Sequence, residues 1–328
     1  MLYGALGFYF LPRATFQGDL TRVGLLPESE FGWQHKQPQL ESQHFLQSPI
    51  NEADVLVIGD SFSLSLVWQT ILTKNNLKVH TEHWDNIEGV CIDFMDWLQR
   101  KQFKGKFIIF ESIERGLVSN LDRSISCNAV QYKTNGLSIA EGQRGAPPTF
   151  FDIHAKDYSG KLSTGIRTQL NMMMYLLASL SDNFKAMSIA NDVRLNRVAN
   201  GCDIFSHKSC NDSLFLSKDD PAEIDQSALE KIKRLNSRLS GVIPIWAIVP
   251  NKSTSYLYSQ KQFWNNLEQQ TPAPNLLGMT EAAIKAKVID LYPANNTHFS
   301  TTGYLLMGEA IYKTMSNTPQ TKIGTLHY

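Results

Sequence analysis

The residues VLVIGDSFSLSL, positions 55–66, show how the fold of this chain begins. A run of four apolar residues ends at Gly59, and a segment with helical spacing of apolar residues follows. A short apolar run that stops at a glycine is typical of a buried parallel strand. Ser61 therefore lies where a predicted strand ends and a predicted helix begins, and it is either a nucleophile or a helix cap.

The same alternation of strand and helix patterns continues along the chain. The residues SLSLVWQTILTKNN, positions 63–76, predict one helix, and later segments with the same spacing predict further helices. Four more segments predict strands: LKVHTEHW (77–84), GKFIIFES (105–112), VIPIWAIVP (242–250) and VIDLY (288–292). Strands that alternate with helices favour a three-layer α/β/α fold with a mostly parallel central sheet.

Two polar regions interrupt this pattern. Residues 117–165, with GQRGAPPT near their centre, predict an insertion in a domain that spans residues 51–328. A polar, Asp-rich stretch that ends at Pro221 carries no strand prediction. Residues 1–50 are predicted to be an irregular lead-in.

The first twelve residues, MLYGALGFYFLP, are apolar and uncharged. They are too short to span a bilayer, which needs about 20 residues, and they lack the basic start of a signal peptide. We interpret them as the end of a truncated membrane anchor; the alternative is an ordinary buried first element.

Composition excludes some function classes. The chain has 328 residues with 31 basic and 31 acidic side chains, so its charge does not favour nucleic acid or an anionic membrane surface as a partner. Its four cysteines have no zinc-site spacing. A disulfide between Cys202 and Cys210 would imply an oxidising compartment; the alternative is four reduced thiols.

The position of Ser61 suits catalysis. It is expected at the carboxyl end of the sheet, where open α/β folds bind ligands, and beside backbone N–H groups at a helix start. Gly59 permits a tight turn, and Asp60 can satisfy backbone donors. The alternative is that Asp60, Ser61 or Ser63 only caps the helix.

A serine nucleophile needs a base, and His298 is the best candidate among eight histidines. It lies in DLYPANNTHFSTTGY, positions 290–304, between the last predicted strand and the last predicted helix. That loop can reach the same sheet edge as Ser61. Four other histidines have no comparable position and are predicted to be surface or packed residues: His80, His83, His154 and His207.

Four stretches together resemble one family. They are GDSFS (59–63), IIFESIERGL (108–117), AIVPNKSTSYLY (247–258) and NNTHFSTTGY (295–304). In order and spacing they resemble the SGNH (GDSL-type) hydrolase superfamily, and they are most similar to the branch that contains the polysaccharide O-acetylation proteins AlgJ and AlgX. The resemblance spans roughly residues 14–315.

The resemblance implies roles for the two central residues. Ser61 would be the acyl-accepting nucleophile, with its own N–H in the oxyanion hole, and His298 would be the general base. Asn296 stands where the family usually has an Asp, and Asn295 stands at the other usual position. An Asn can orient an imidazole but cannot stabilise imidazolium by charge, and Asp290 would reach the site only if the loop folded back.

The family's Gly-x-Asn-Asp block is also absent. In its place Arg115 would stabilise an oxyanion or bind a sugar, with Glu111 or Glu114 holding its side chain; the alternative is a structural ion pair. Gly89 is the candidate for a second oxyanion donor through its N–H. Three aromatic residues are candidates for sugar stacking or for the core: Trp68, Trp84 and Tyr304.

The resemblance implies acyl transfer, most simply of acetyl, onto hydroxyls of an exported or cell-envelope polysaccharide through an acyl-Ser61 intermediate. It implies no cofactor, an acetyl donor handed over by a membrane-bound partner, and a periplasmic or envelope location with an N-terminal membrane attachment. Two alternatives stay open. One is a carbohydrate esterase that uses water, and the other is a non-catalytic glycan-binding protein, which Asn295 and Asn296 favour.

Overall fold

The computed structural model describes residues 16–133, 161–181, 183–190, 192–219, 224–258 and 262–319. The predicted end of a membrane anchor, residues 1–12, lies outside these residues, as does residues 134–160 of the predicted insertion. Among the helices that are described, none has the length and apolar character needed to cross a bilayer.

Seven strands are described: β1 (Val55–Gly59), β2 (Val79–His83), β3 (Phe107–Ile113), β4 (Ala186–Ala190), β5 (Val193–Arg197), β6 (Asp212–Leu216) and β7 (Ile243–Val249). Four of them form a parallel central sheet in the order β2-β1-β3-β7. Every residue of β1, β2 and β3 is buried, as expected for a sheet that is covered on both faces.

The described helices are, in chain order, α1 (Asp19–Gly24), α2 (Glu28–Phe31), α3 (Ser61–Leu64), α4 (Gln69–Lys74), α5 (Trp84–Ile87), α6 (Phe94–Arg100), α7 (Glu114–Ser126), α8 (Leu162–Ser179), α9 (Gln226–Asn236), α10 (Lys252–Tyr256), α11 (Gln262–Gln270), α12 (Leu276–Lys285) and α13 (Thr301–Asn317). Short 3-10 turns occupy Ser42–His44, Ile50–Glu52 and Gly201–Asp203.

Side chains that alternate along the strands build two cores. Leu56 and Ile58 of β1 pack in a cluster with α6, α7, α9 and α11. Val55 and Val57 pack on the opposite face in a cluster with α4, α12 and α13. Because apolar helices cover both faces of one parallel sheet, the chain is a three-layer α/β/α protein, and the predicted fold class is confirmed.

Three local predictions are wrong. The single helix predicted over 63–76 is two helices, α3 and α4, because the chain turns at Leu66, whose φ is 57°. The predicted strand 288–292 is loop, and Asp290 N there donates to the carbonyl of Ile204 instead of to a strand. Residues 117–126 of the predicted insertion continue helix α7.

A second sheet lies in the stretch for which no strand was predicted. Strands β4, β5 and β6 form an antiparallel sheet in that order. In β5, only Val193 and Leu195 are buried, and the other three residues are polar, so the segment has a polar composition. A cluster that includes Leu20 and Phe31 joins this sheet to α1, α2 and α8.

All four cysteines are paired. The open alternative at Cys202 and Cys210 is resolved in favour of the disulfide. A second disulfide, Cys91–Cys127, was not predicted from the sequence. Their separation of 36 residues gave no local signal, because the start of α6 and the end of α7 meet only in the folded chain.

The two disulfides should differ in their contribution to stability. Loop closure predicts that removing Cys91–Cys127, with a separation of 36 residues, costs about 4 kcal/mol, whereas removing Cys202–Cys210, with a separation of 8, costs about 2.5 kcal/mol. Urea unfolding of C91A/C127A and C202A/C210A measures both. Equal losses, or a larger loss for the shorter loop, would contradict this account.

Candidate active site

Ser61 is held at the carboxyl end of β1 by the residue before it. Asp60 caps α3, and its Oδ1 accepts a hydrogen bond of 2.9 Å from Phe62 N. Its Oδ2 accepts a bond of 2.7 Å from Ile113 N, at the end of β3. As predicted, Asp60 satisfies backbone donors, and it does so in the first turn of α3 and at the end of β3 at once. Ser61 itself is the exposed first residue of α3.

The loop after α12 brings His298 to Ser61. His298 Nε2 lies 2.8 Å from Ser61 Oγ, within hydrogen-bond distance, although 237 residues separate the two in sequence. The Phe62 ring packs against the imidazole, with 4.8 Å between ring centroids. The structure therefore brings together the two residues that the sequence proposed as nucleophile and base, with the base aimed at the hydroxyl.

The other imidazole nitrogen, His298 Nδ1, has three polar neighbours. Thr297 Oγ1 lies 3.2 Å away, Asn296 Oδ1 lies 3.3 Å away, and Asp19 Oδ2 lies 3.8 Å away. Asn296 Oδ1 also accepts a 2.9 Å bond from the His298 amide. Asn296 therefore orients the imidazole as an amide can. Sequence reasoning missed Asp19, because it lies 279 residues upstream in the predicted lead-in.

The other two candidates for orienting the imidazole, Asn295 and Asp290, do not bond to it. Asn295 Nδ2 donates to Glu28 Oε2 at 2.8 Å, away from the imidazole. The Asp290 carboxylate accepts from the backbone N–H of Ser206 at 3.0 Å and from the Ser206 hydroxyl. Asp290 is thus engaged with another loop.

Electrostatics keep His298 ready to accept a proton. Burial lowers the pKa of His298 below its ordinary value of 6.5, while the Asp19 and Asp60 carboxylates raise it and Arg115 lowers it. The lowered pKa leaves the imidazole neutral at pH 7. A neutral Nε2 can take the Ser61 proton, which is the first requirement of a general base.

A buried lysine supports the loop that carries His298. Lys252 Nζ donates to the carbonyl oxygens of Pro293, Ala294 and Asn296 at 2.7, 2.9 and 3.3 Å. Burial lowers its pKa from 10.5 to about 7. This lysine lies in AIVPNKSTSYLY, one of the four stretches that carry the resemblance, but no local pattern indicated that its ammonium reaches the histidine loop.

Glu111 differs from its predicted role. It was expected to hold Arg115, but its Oε2 accepts from Asp60 N at 3.0 Å and from Ser63 Oγ at 2.7 Å. It is fully buried, and burial together with the Asp60 carboxylate raises its pKa well above the usual 4.5. Glu111 is therefore a buried support of the turn that presents Ser61, and it does not bind substrate.

Arg115 forms the predicted ion pair with a different partner. Its Nη1 donates to Asp219 Oδ1 at 3.1 Å and to Asn251 Oδ1 at 3.4 Å, so neither Glu111 nor Glu114 holds it in the predicted way. Its side chain nevertheless lines the cavity beside Ser61. Arg115 thus forms a structural ion pair, which was the alternative interpretation, and this pair fixes its side chain in the cavity wall.

An open cavity of about 510 Å³ adjoins Ser61. Arg115, Arg123 and Lys218 contribute cationic groups to its lining, and His83 contributes the end of β2. The His83 position was not proposed from sequence, although β1 and β2 pair so that Gly59 lies opposite His83. Because Asp60 and Asp85 also line the cavity, its mixed charges suit a polar, hydroxyl-rich ligand.

Two sets of predicted ligand contacts need correction. The Gly89 N–H donates to the carbonyl of Ile87 at 2.7 Å, so it is not oriented to serve as an oxyanion donor. Trp68 and Tyr304 are core residues, and both pack in the cluster below Ser61. Trp84 alone of the three aromatic candidates borders the cavity, and its indole N–H donates to the carbonyl of Glu111 at 2.6 Å.

The described part of the chain contains no group of three or more potential metal ligands. Comparisons with protein-family models, with curated proteins and with solved structures find no match to this chain. The class that the structure defines is therefore an α/β/α protein with a serine–histidine pair at the carboxyl edge of a parallel sheet.

The raised pKa of Glu111 predicts a specific pH dependence. A carboxyl whose pKa is higher in the folded state contributes stability fully below about pH 4.5, and this stability is lost as pH rises through the folded-state pKa. Glu111→Gln removes that loss. The free energy of unfolding of E111Q should therefore rise relative to the native chain above pH 4.5, by at most about 1.4 kcal/mol per pH unit.

Urea unfolding from pH 4 to 8 measures this difference. Glu52→Gln, at an exposed glutamate paired with Lys78, is the matched control and should show no such trend. A constant difference between E111Q and the native chain over this range would show that Glu111 is ionised in the fold.

Proposed function

We propose that this protein transfers an acyl group, most simply acetyl, onto hydroxyls of a polysaccharide through an acyl-Ser61 intermediate. The observation that carries the proposal is the 2.8 Å contact between His298 Nε2 and Ser61 Oγ at the mouth of an open, polar cavity. A nucleophile and a base within hydrogen-bond reach are the minimum for covalent acyl transfer.

The chemistry follows from this pair. Ser61 Oγ attacks the ester carbonyl of the donor while His298 Nε2 takes the hydroxyl proton. The tetrahedral intermediate then collapses as the imidazolium gives that proton to the leaving alcohol, which leaves an acyl-serine ester. In the second half, His298 takes a proton from a sugar hydroxyl, whose oxygen attacks the acyl group. The acyl–Oγ bond then breaks as the imidazolium gives its proton to Ser61 Oγ.

The cavity wall supplies candidates for charge stabilisation. The Ser61 N–H, as the first of α3, has no intrahelical acceptor and is suited to an oxyanion at Ser61. Arg115 is the second candidate, because its ion pair with the buried Asp219 fixes the guanidinium in the wall of the same cavity. The charged side chains of both signs in the lining also suit hydroxyl-rich sugars as acceptors.

Hydrolysis is the second candidate, since the same steps with water in place of the sugar make a carbohydrate esterase. The exposure of Ser61 favours it, because water has access to an acyl group there. The family resemblance favours transfer, with an acetyl donor supplied by a membrane-bound partner.

Two disulfides support a periplasmic or envelope location, because such bonds persist in oxidising compartments.

The test is acetyl release from p-nitrophenyl acetate, combined with mass spectrometry of the intact protein. The native chain should form an acetyl adduct, and both Ser61→Ala and His298→Ala should lose the adduct and at least about 10³-fold in turnover. Ser237→Ala, at an exposed serine at the end of α9, and His35→Ala, at an exposed histidine, are controls that should keep full activity.

Adding a soluble oligosaccharide then separates the two acyl-transfer candidates. Acetylated sugar supports transfer, whereas release of acetate at an unchanged rate supports an esterase. A folded native chain with neither adduct nor turnover would contradict both and leave the non-catalytic, glycan-binding alternative.

A further inference from the structure

The N-terminal segment, residues 17–31, packs directly on the loop that carries His298. Leu20 N donates to the carbonyl of Asn295 at 3.0 Å, and Asn295 Nδ2 donates to Glu28 at 2.8 Å. Gly18 lies so close that a Cβ there would collide with Asn295. This close approach requires a glycine, and it places α1 against the histidine loop.

A single carboxylate organises the start of α1. Glu28 Oε1 accepts from Gln17 N at 2.7 Å, from Gly18 N at 2.8 Å, and from the Thr21 hydroxyl. Because the same carboxylate accepts from Asn295 through its other oxygen, the segment and the histidine loop share one anchor. Asp19, the first residue of α1, is thereby held facing the loop.

Asp19 contacts the residue next to the base. Its Oδ1 accepts from Thr297 N at 3.0 Å, and its Oδ2 accepts from the Thr297 hydroxyl. A hydroxyl that donates to Asp19 keeps its lone pairs for His298 Nδ1, which lies 3.2 Å from Thr297 Oγ1. The Asp19 carboxylate is also 3.8 Å from Nδ1 directly. The contacts thus form a chain from the imidazole N–H through Thr297 to a carboxylate.

We propose that Asp19 supplies the negative charge that Asn296 cannot, and that the N-terminal segment is part of the active site. This inference rests on the proposed function. When Ser61 gives its proton to Nε2, the ring becomes an imidazolium with an N–H at Nδ1. Thr297 and Asn296 orient that N–H as neutral acceptors, and Asp19 stabilises the positive charge. Asp19 is a positioning residue, since it acts through His298.

The other charged groups around the imidazole do not replace Asp19. Asp60 and Arg115 also face His298, and their effects on its pKa oppose each other. Asp60 is committed to two backbone N–H groups, and Arg115 is committed to Asp219. Asp19 is the carboxylate on the Nδ1 side, where the imidazolium charge needs a partner.

The experiment removes the carboxylate at position 19 and then introduces one at position 296. Asp19→Asn should lower kcat/KM for p-nitrophenyl acetate by about 10- to 1,000-fold, below the roughly 10⁴-fold of a directly bonded triad Asp because a hydroxyl intervenes. The acid limb of the pH profile of kcat/KM should shift to lower pH in D19N, because the Asp19 charge that raises the pKa of His298 is removed. Adding Asn296→Asp, which places a carboxylate 3.3 Å from Nδ1, should restore both rate and acid limb.

Asp203→Asn, at an exposed aspartate paired with Lys287, is the matched control and should change neither quantity. Unfolding curves establish that D19N is folded, and the isosteric change favours this. A rate loss without a shifted acid limb, and without rescue by Asn296→Asp, would mean that Asp19 has only a structural role, which overturns the proposal. An unchanged rate overturns it as well.

A second readout separates this proposal from the proposed function. NMR titration of His298, assigned by its loss in His298→Ala, reports the imidazolium directly and needs no turnover. The pKa should fall in D19N and recover in D19N/N296D. If the native chain is inactive and this shift is seen, the acyl-transfer function fails while the charge coupling stands. If D19N titrates like the native chain, the charge coupling fails.

Discussion

The carboxylate of Asp60 is the contact on which the candidate site depends. By accepting from Phe62 N and Ile113 N it ties the turn after β1 to the end of β3, and so it sets where Ser61 stands relative to the sheet. Glu111 completes this arrangement from below by accepting from the Asp60 amide. A neutral Glu111 is compatible with a nearby Asp60 carboxylate, whereas two buried charges there would repel each other.

His298, the candidate base, is held by a different set of contacts. Lys252 Nζ donates to three carbonyl oxygens of the loop before His298. The carbonyl oxygen of Asn295 accepts a hydrogen bond from Leu20 N of α1. These contacts come from segments about 40 and 270 residues away in sequence. The imidazole is thus oriented from both sides, which is how a loop residue reaches the precision that proton transfer requires.

The cavity beside Ser61 links this geometry to substrate choice. Its two arginines are held by carboxylates, Arg115 by Asp219 and Arg123 by Asp85. An arginine that is held in an ion pair keeps its remaining N–H donors in a defined direction, which suits planar or hydroxyl-rich ligands. Under the proposed function, an acceptor would meet the groups that end β2 and begin α7, next to Ser61.

Much of the fold and the core of the site follow from local sequence patterns. The apolar runs that became β1, β3 and β7 are buried on both faces, so their composition alone identified a parallel sheet. A glycine and a serine at the end of β1, and a histidine before the last helix, identified Ser61 and His298, because strand ends and loops gather at one sheet edge.

Only the tertiary structure determined the remaining features. The half-exposed strand β5 escaped prediction because polar residues alternate with its two buried ones. Gly89 and Glu111 were assigned by position along the chain, but hydrogen bonds to Ile87 and Asp60 give them other roles. Asp19 reaches His298 across 279 residues, and such a contact leaves no periodicity or spacing in the sequence. Local patterns determine which segments are strands and helices, whereas distant side chains meet only when those segments pack.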